Sequence, residues 1–300
     1  MRDRFVKVTG DLLEEDPKTV VVLAVISRRL FADAGLTRRF KDRIIDVGIR
    51  EQTQIGVAGG LALEGFSPIV SGYAPFLVER PFEQIKLSLS HQDVSAVLLS
   101  VGGSWDSADS GRTHQSPGDV DLISTLPDWT VHVPGHPDEL EVLLRASHEG
   151  SGSAYIRTTT ESNARPYTTV PGRIVTLRRG SPSAPTVLVV GTLADQALAG
   201  LDGLDVTLLY TSTPTPIDGR GLRASVLGDE LIVVEPYQTG TSIARIAEAM
   251  TDRPMRLRAH GVTNEDLRRY GTPLEHRAAH GLDAAGIREF VVGGSIALAS

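Results

Sequence analysis

One glutamate stands where a carboxylate could do chemistry. The segment Asp46–Gln52 reads Asp-Val-Gly-Ile-Arg-Glu-Gln, a pattern typical of a strand that ends in an Asp-x-Gly turn and leads into a helix. Glu51 is therefore expected at the N-terminus of a helix, at the carboxyl edge of a sheet, where α/β proteins usually bind their ligands. A first-turn acid that interacts only with the helix dipole would give the same pattern. The glutamate alone leaves both interpretations open.

The elements that must position Glu51 alternate between strands and helices. In the first half of the chain, apolar runs predict strands at Val20–Ile26, Val94–Ser100, Val131–Val133 and Ala154–Arg157, and helical patterns predict helices at Gln52–Leu63, Phe82–Ser90 and Pro137–Ala146. Alternation of this kind favours parallel sheets covered by helices. The predicted fold class is α/β, with two domains, each a mostly parallel sheet with helices on both faces.

A change of composition separates the two predicted domains. Residues Thr160–Pro185 include four prolines, which predicts a linker with one strand at Arg173–Leu177. Alternation then resumes, with strands predicted at Thr186–Val190, Val206–Tyr210 and Leu231–Glu235 and helices near Ser242–Met250, Asn264–Arg269 and Asp283–Phe290. The predicted boundaries are 1–165 for the first domain, 166–185 for the linker and 186–300 for the second domain.

The composition excludes several classes of function. Apolar residues make up 41% of the 300 residues and charged residues 22%, which is typical of a globular protein. The 30 basic residues are outnumbered by 37 acidic ones, so no broad basic face for nucleic acid is expected. Cysteine is absent, which excludes disulfides and thiol chemistry. No apolar run approaches the roughly 20 residues that span a membrane. We expect a cytoplasmic protein.

Further segments follow Glu51 in a fixed order. They are Gly59–Pro68, the aromatic segment Tyr73–Phe76 with Arg80–Ile85, and the loop Gly111–Gln115, which contains Gly-Arg-Thr-His. In this order they resemble the pyrimidine-binding domain of transketolases and of the related deoxyxylulose phosphate synthases. The resemblance continues through Val187–Gly191, Ile232–Glu235 and Gly281–Asp283, which are similar to the C-terminal domain of that family. It covers essentially the whole chain.

The resemblance implies thiamine diphosphate as the cofactor and assigns residues to it. Glu51 would hydrogen-bond a nitrogen of the pyrimidine ring and favour the tautomer that activates the cofactor as a nucleophile and later an electron sink. Tyr73 and Phe76 would pack against the pyrimidine ring, although both could instead be ordinary core residues. Arg80 is a further candidate for the cofactor pocket.

The resemblance also implies substrate contacts. His114 would face the substrate and move a proton to or from a sugar hydroxyl, because histidine titrates near neutrality. Arg157 would hold a substrate phosphate with its guanidinium fork, with an arginine paired to an acid at a strand end as the alternative. Sugar-using relatives commonly carry aspartate directly before the glycine of the Thr-His loop. Here that position is Ser110, with Asp109 one residue earlier, so either could make the contact.

The diphosphate half of the cofactor has no visible site in this sequence. The family holds it through Mg²⁺ with a Gly-Asp-Gly motif and a later asparagine, since a hard cation binds carboxylate and amide oxygens. Gly-Asp-Gly does not occur here, so no metal ligand is expected on this chain. The resemblance implies a separate N-terminal, diphosphate-binding subunit, and self-association through pyrimidine domains to an α2β2 heterotetramer.

The predicted function is that of one subunit of a two-component transketolase. It would transfer a two-carbon ketol unit from a ketose phosphate to an aldehyde or other carbonyl acceptor, through a carbanion held on the cofactor. Two alternatives stay open. The chain could be the beta subunit of a 2-oxo acid dehydrogenase or of a decarboxylating enzyme like deoxyxylulose phosphate synthase, or a non-catalytic subunit that only binds a partner.

Overall fold

The computed structural model describes residues 1–263 and 270–296 of the chain. Its helices are α1 (Arg2–Glu15), α2 (Arg28–Asp33), α3 (Leu36–Arg39), α4 (Glu51–Leu63), α5 (Phe82–Gln84), α6 (Asp119–Ser124), α7 (Pro137–Glu149), α8 (Ala194–Gly200), α9 (Gly219–Ser225), α10 (Ile243–Ala249), α11 (Pro273–Ala279) and α12 (Ala284–Ile296). Its strands are β1 (Thr19–Leu23), β2 (Ile44–Asp46), β3 (Ser67–Gly72), β4 (Val97–Val101), β5 (Thr130–His132), β6 (Ala154–Thr158), β7 (Val175–Arg178), β8 (Thr186–Val190), β9 (Thr207–Thr211), β10 (Glu230–Gln238) and β11 (Arg256–Val262).

The first sheet has the strand order β2-β1-β3-β4-β6-β5, and its strand pairs are all parallel. Every residue of β1 is buried, as expected for a parallel strand covered on both faces. Side chains alternate between two cores: Val21 and Leu23 pack with α1 and α7, while Val22 packs with α4. Helices therefore cover both faces of this sheet, as predicted.

The second sheet has the order β11-β10-β8-β9-β7. Its pairs are parallel except that β7 runs antiparallel to β9. The strand predicted within the proline-containing segment is present as β7 and forms the edge of this sheet. The predicted α/β fold with two mostly parallel sheets is confirmed, and the antiparallel edge strand β7 makes the second sheet mixed.

Two of the predicted helices are not observed as single helices in the described residues. The stretch predicted as one helix at Phe82–Ser90 consists of the short α5 and a π-helical segment, Ile85–Ser90. The helix predicted at Asn264–Arg269 lies outside the described residues. In the described part of the chain, no helix is long and apolar enough to cross a membrane.

The two sheets share a core and a buried carboxylate. One hydrophobic cluster includes Val131 of the first sheet and Leu209 of the second. Glu139 of α7, which is 1% exposed, accepts hydrogen bonds from the backbone of Tyr167 and from the Tyr210 hydroxyl of β9. The junction between the two sheets is thus packed and hydrogen-bonded, which fixes the carboxyl edge of the first sheet beside the second.

Candidate active site

Glu51 is the first residue of α4 and is buried, with 4% of its surface exposed. The helix is held in place by Gln54, whose side-chain amide donates to the carbonyls of Val22 in β1 and Ser71 in β3. The Glu51 carboxylate accepts a hydrogen bond at Oε2 from Nη1 of Arg80, at 2.9 Å. A buried carboxylate therefore lies at the carboxyl edge of the sheet, where the sequence predicted it.

Three predicted residues form one aromatic cluster next to this carboxylate. Ring centroids lie 6.3 Å apart for Tyr73 and Phe76, 5.9 Å for Tyr73 and His114, and 5.0 Å for Phe76 and His114, and each pair meets edge to face. The guanidinium carbon of Arg80 lies 4.2 Å from the centroid of Phe76. The contacts run continuously from Glu51 through Arg80 and Phe76 to His114.

Tyr73 owes its position to a glycine at the end of β4. Gly102 has φ +90°, and a β-carbon there would lie 2.7 Å from Cε1 of Tyr73. Any side chain would both strain the backbone and push the ring away. Gly102 thus lets the Tyr73 ring lie directly against the backbone.

Arg2 joins the cluster, and the sequence analysis missed it. Nη2 of Arg2 donates to the Tyr73 hydroxyl at 3.3 Å, and the guanidinium carbon lies 5.9 Å from the ring centroid. One signal was available in the sequence, since a basic residue in the first turn of a helix is disfavoured by the helix dipole. Arg2 places a positive charge beside the aromatic rings.

Asp109 and Ser110 lie in the same loop as His114. Both are exposed, in a 3-10 turn directly before Gly111, and the Ser110 hydroxyl donates to Asp109 Oδ1 at 3.4 Å. The Thr113 hydroxyl lies 3.0 Å from Nδ1 of His114. The loop therefore carries a polar, solvent-facing row of candidate substrate contacts.

Arg157 is not brought into this cluster. Its side chain is fully buried, and Nε donates to Asp119 Oδ2 of α6 at 2.8 Å, while Nη2 donates to Ser104. The Tyr155 hydroxyl donates to the same aspartate. No surface of Arg157 is open to a substrate phosphate in this geometry, which matches the alternative of an arginine paired with an acid. Asp119 is the partner that the sequence analysis did not identify.

One partly buried acid near the cluster, Asp106, has a perturbed pKa. Asp106 accepts hydrogen bonds from the backbone amides of Gly103 and Thr160 and from the Thr160 hydroxyl. Burial raises the pKa of Asp106 to about 6, although these hydrogen bonds oppose the shift. The carboxylate ties the turn after β4 to the end of β6 and so supports the wall on which Tyr73 rests.

The donor groups of the site suit an organic ring better than a metal ion. Within 1–263 and 270–296, no group of three or more His, Asp or Glu side chains could hold a metal ion. The buried carboxylate and the aromatic rings, by contrast, fit a flat heterocycle with a ring nitrogen. The chemistry of the site thus suits the pyrimidine half of thiamine diphosphate.

Comparisons with known proteins define the class. The family model of the transketolase pyrimidine-binding domain matches residues 1–165, more than half of the chain. The chain belongs to this family. It is also a homologue of one subunit of the apulose-4-phosphate transketolase from Actinobacillus succinogenes, with 26% identity over 85% of each chain.

Two further comparisons extend over nearly the full length. An uncharacterized 33.6 kDa protein in the fasciation locus of Rhodococcoides fascians is 44% identical over 91% of this chain and 87% of its own. A solved structure described as a split gene transketolase in an inactive beta4 tetramer superimposes with a TM-score of 0.82 at 24% identity, over 97% of this chain and 96% of the other. The arrangement of both sheets is therefore that of a known fold.

Proposed function

We propose that this chain is the pyrimidine-binding subunit of a two-component, thiamine-diphosphate-dependent transketolase. The observation that carries the proposal is the buried Glu51 carboxylate at the start of α4, joined by contacts to Phe76 and His114. The homologue from Actinobacillus succinogenes, itself described as one subunit of a transketolase, supports the division into two chains.

In this proposal each part of the cluster has its own task. Thiamine diphosphate, when bound, supplies a nucleophilic carbon and an electron sink. Glu51 holds a ring nitrogen of the pyrimidine by a hydrogen bond, and Tyr73 and Phe76 exclude water from the ring faces. The edge-to-face contact with Phe76 holds the His114 ring next to that site. His114 takes a proton from a substrate hydroxyl and returns it.

Substrate recognition falls to the rim of the cluster. Arg2 is placed to attract an anionic group such as a sugar phosphate, because its guanidinium lies over Tyr73 and, among residues 1–263 and 270–296, forms no ion pair with a buried acid. Asp109 and Ser110 are exposed beside His114 and can bind hydroxyl groups of an acceptor. Arg157 forms a buried ion pair with Asp119 and stabilises the domain junction instead.

A second chain completes the site in this proposal. It would carry the Gly-Asp-Gly and asparagine ligands for Mg²⁺ and the diphosphate, for which this sequence has no motif. Two copies of each chain would assemble as an α2β2 heterotetramer, with the cofactor between unlike subunits.

The test is a Glu51→Gln substitution in the complex with a diphosphate-binding subunit. Glutamine keeps the size of the side chain but cannot share a proton with the ring nitrogen, so ketol transfer from fructose 6-phosphate or xylulose 5-phosphate should fall at least about a hundredfold. Cofactor-dependent turnover that survives this change would contradict the assigned role. Release of carbon dioxide from pyruvate, with no ketol transfer, would move the chain to the decarboxylating alternative.

A further inference from the structure

The guanidinium of Arg80 stands where the proposed function needs a pyrimidine ring. Its Nη1 lies 2.9 Å from Glu51 Oε2, and its central carbon lies 4.2 Å from the centroid of Phe76. Those two contacts, a hydrogen bond to the carboxylate and a flat group against an aromatic face, are the contacts expected of the ring. Arg80 makes both of them within this chain.

The two occupants compete for the same carboxyl group and the same face of Phe76. A guanidinium only donates hydrogen bonds, so the Glu51 oxygen that meets it is an acceptor. A ring nitrogen without a proton only accepts, so the oxygen that meets it must carry a proton. The carboxyl group has two oxygens and could meet both partners, but the face of Phe76 that lies 4.2 Å from the guanidinium carbon cannot pack against two flat groups at once.

The backbone of Arg80 is fixed while its side chain has a way out. The amide of Arg80 donates to the Pro75 carbonyl at 3.1 Å, and the Gln52 side chain donates to the Arg80 carbonyl at 3.4 Å. The Arg80 side chain is 41% exposed, whereas that of Glu51 is 5% exposed. Rotation of the long arginine side chain into water would therefore uncover the carboxylate without moving the backbone of Arg80 or of α4.

We propose that Arg80 is a built-in stand-in for the cofactor ring: it occupies the aminopyrimidine position in the free chain, and an aminopyrimidine enters by displacing it. The inference rests on the proposed function, because it takes the Glu51 and Phe76 faces to be the ring site. It adds that the free chain is held closed by its own arginine, so that ring binding competes with an ion pair.

The experiment measures thiamine binding to the full chain by NMR titration. Thiamine carries the aminopyrimidine ring but no diphosphate, so it probes this half of the site alone. Arg80→Met keeps an unbranched apolar stem against Phe76 and removes the competing donors. It should bind thiamine roughly threefold to fivefold more tightly than the wild-type chain, the gain expected from removing an ion pair whose arginine is 41% exposed. Arg29→Met, which changes an arginine that is 93% exposed, is the matched control and should leave the affinity unchanged.

Further measurements separate the possible failures. In the wild-type chain, the side-chain Nε signal of Arg80 should shift as thiamine saturates the site, and an unmoved signal at saturation would overturn displacement. Thiamine binding by Arg80→Met that is absent, or no tighter than that of the wild-type chain, would also overturn displacement. Adding Glu51→Gln to Arg80→Met should abolish the gain in thiamine affinity. Unchanged affinity in the double variant would instead contradict the placement of the ring at Glu51, on which the proposed function depends. Circular dichroism of each variant verifies that it is folded.

Discussion

Two acid–arginine pairs lie along the same edge of the first sheet, and they differ in burial. Glu51 and Arg80 meet at a rim where the arginine is 41% exposed, whereas Asp119 and Arg157 are both fully enclosed. The enclosed pair also binds Ser104, whose hydroxyl donates to the Pro236 carbonyl across the domain junction. A guanidinium that can reach water can be exchanged for a ligand, while an enclosed one is part of the framework. Burial, more than residue type, separates the two roles.

The largest expected effect comes from breaking the enclosed pair. Arg157→Met leaves the Asp119 carboxylate buried without its cation, and the free energy of unfolding should fall by about 3–5 kcal/mol. Urea denaturation of the isolated chain measures it. The double variant Arg157→Met/Asp119→Leu should recover part of the loss, because no unpaired charge remains. Arg80→Met should cost clearly less than Arg157→Met, because Arg80 is 41% exposed and water can take its place beside Glu51. Comparable losses for the two single arginine variants would contradict the distinction between the pairs.

The next largest effect is a pH dependence of the free energy of unfolding, caused by a histidine on the enclosed side of the sheet. His132 of β5 is 5% exposed, its Nδ1 lies 2.9 Å from the Thr213 hydroxyl, and burial lowers its pKa to about 4. The unfolded chain therefore takes up a proton near pH 6.5 that the folded chain refuses until about pH 4. This contribution to stability is complete above pH 6.5 and should shrink by about 3 kcal/mol on acidification to pH 4.

The difference between wild type and His132→Gln isolates that contribution. Burial raises the pKa of Asp106 to about 6 and that of Glu235 to about 7, so these two acids shift stability in the opposite direction on acidification. Denaturation curves of both proteins at several pH values between 4 and 7 should diverge as pH falls, with the wild type losing more. Parallel curves would show that His132 does not titrate as its burial requires.

The smallest of these effects concerns the position of Tyr73, on the side of the sheet where Arg80 is exposed. Gly102→Ala introduces a β-carbon at φ +90° against Tyr73, which should cost about 1–3 kcal/mol and displace the ring. Thermal unfolding reports the cost, and weaker thiamine binding in the Arg80→Met background reports the displaced ring. Gly60→Ala in α4 is the control, since nothing lies within 4 Å of its β-carbon and alanine favours helix. Equal behaviour of the two variants would mean that Gly102 does not position Tyr73.

Continuous apolar runs made several elements predictable from the sequence. β1 and β8 are buried along their whole length, and Gly59 lets α4 pack closely on the segment Ile85–Ser90, where a β-carbon would collide with the Ser88 carbonyl oxygen. β3 was not predicted, because Pro68 and the flanking Ser and Gly residues argue against a central strand. It forms nevertheless, since β1 and β4 flank it on both sides.

The site was predictable where one local motif carries it and not where distant residues meet. Short segments that follow one another in a fixed order along the sequence contain Glu51, Tyr73, Phe76 and His114. The structure brings these residues together. Contacts between residues far apart in the sequence could not be predicted: Arg157 and Asp119 are separated by 38 residues, and Arg2 and Tyr73 by 71 residues. Their meeting depends on strand order, which local spacing does not encode.

We propose above all that Glu51 holds one half of a cofactor whose other half is held by a second chain. The most direct measurement is calorimetric binding of thiamine diphosphate with Mg²⁺ to this chain alone, to a diphosphate-binding subunit alone, and to their mixture. We expect tight, saturable binding and ketol transfer only in the mixture, because this sequence has no motif for the metal and diphosphate contacts. Tight binding and full turnover by this chain alone would contradict the account.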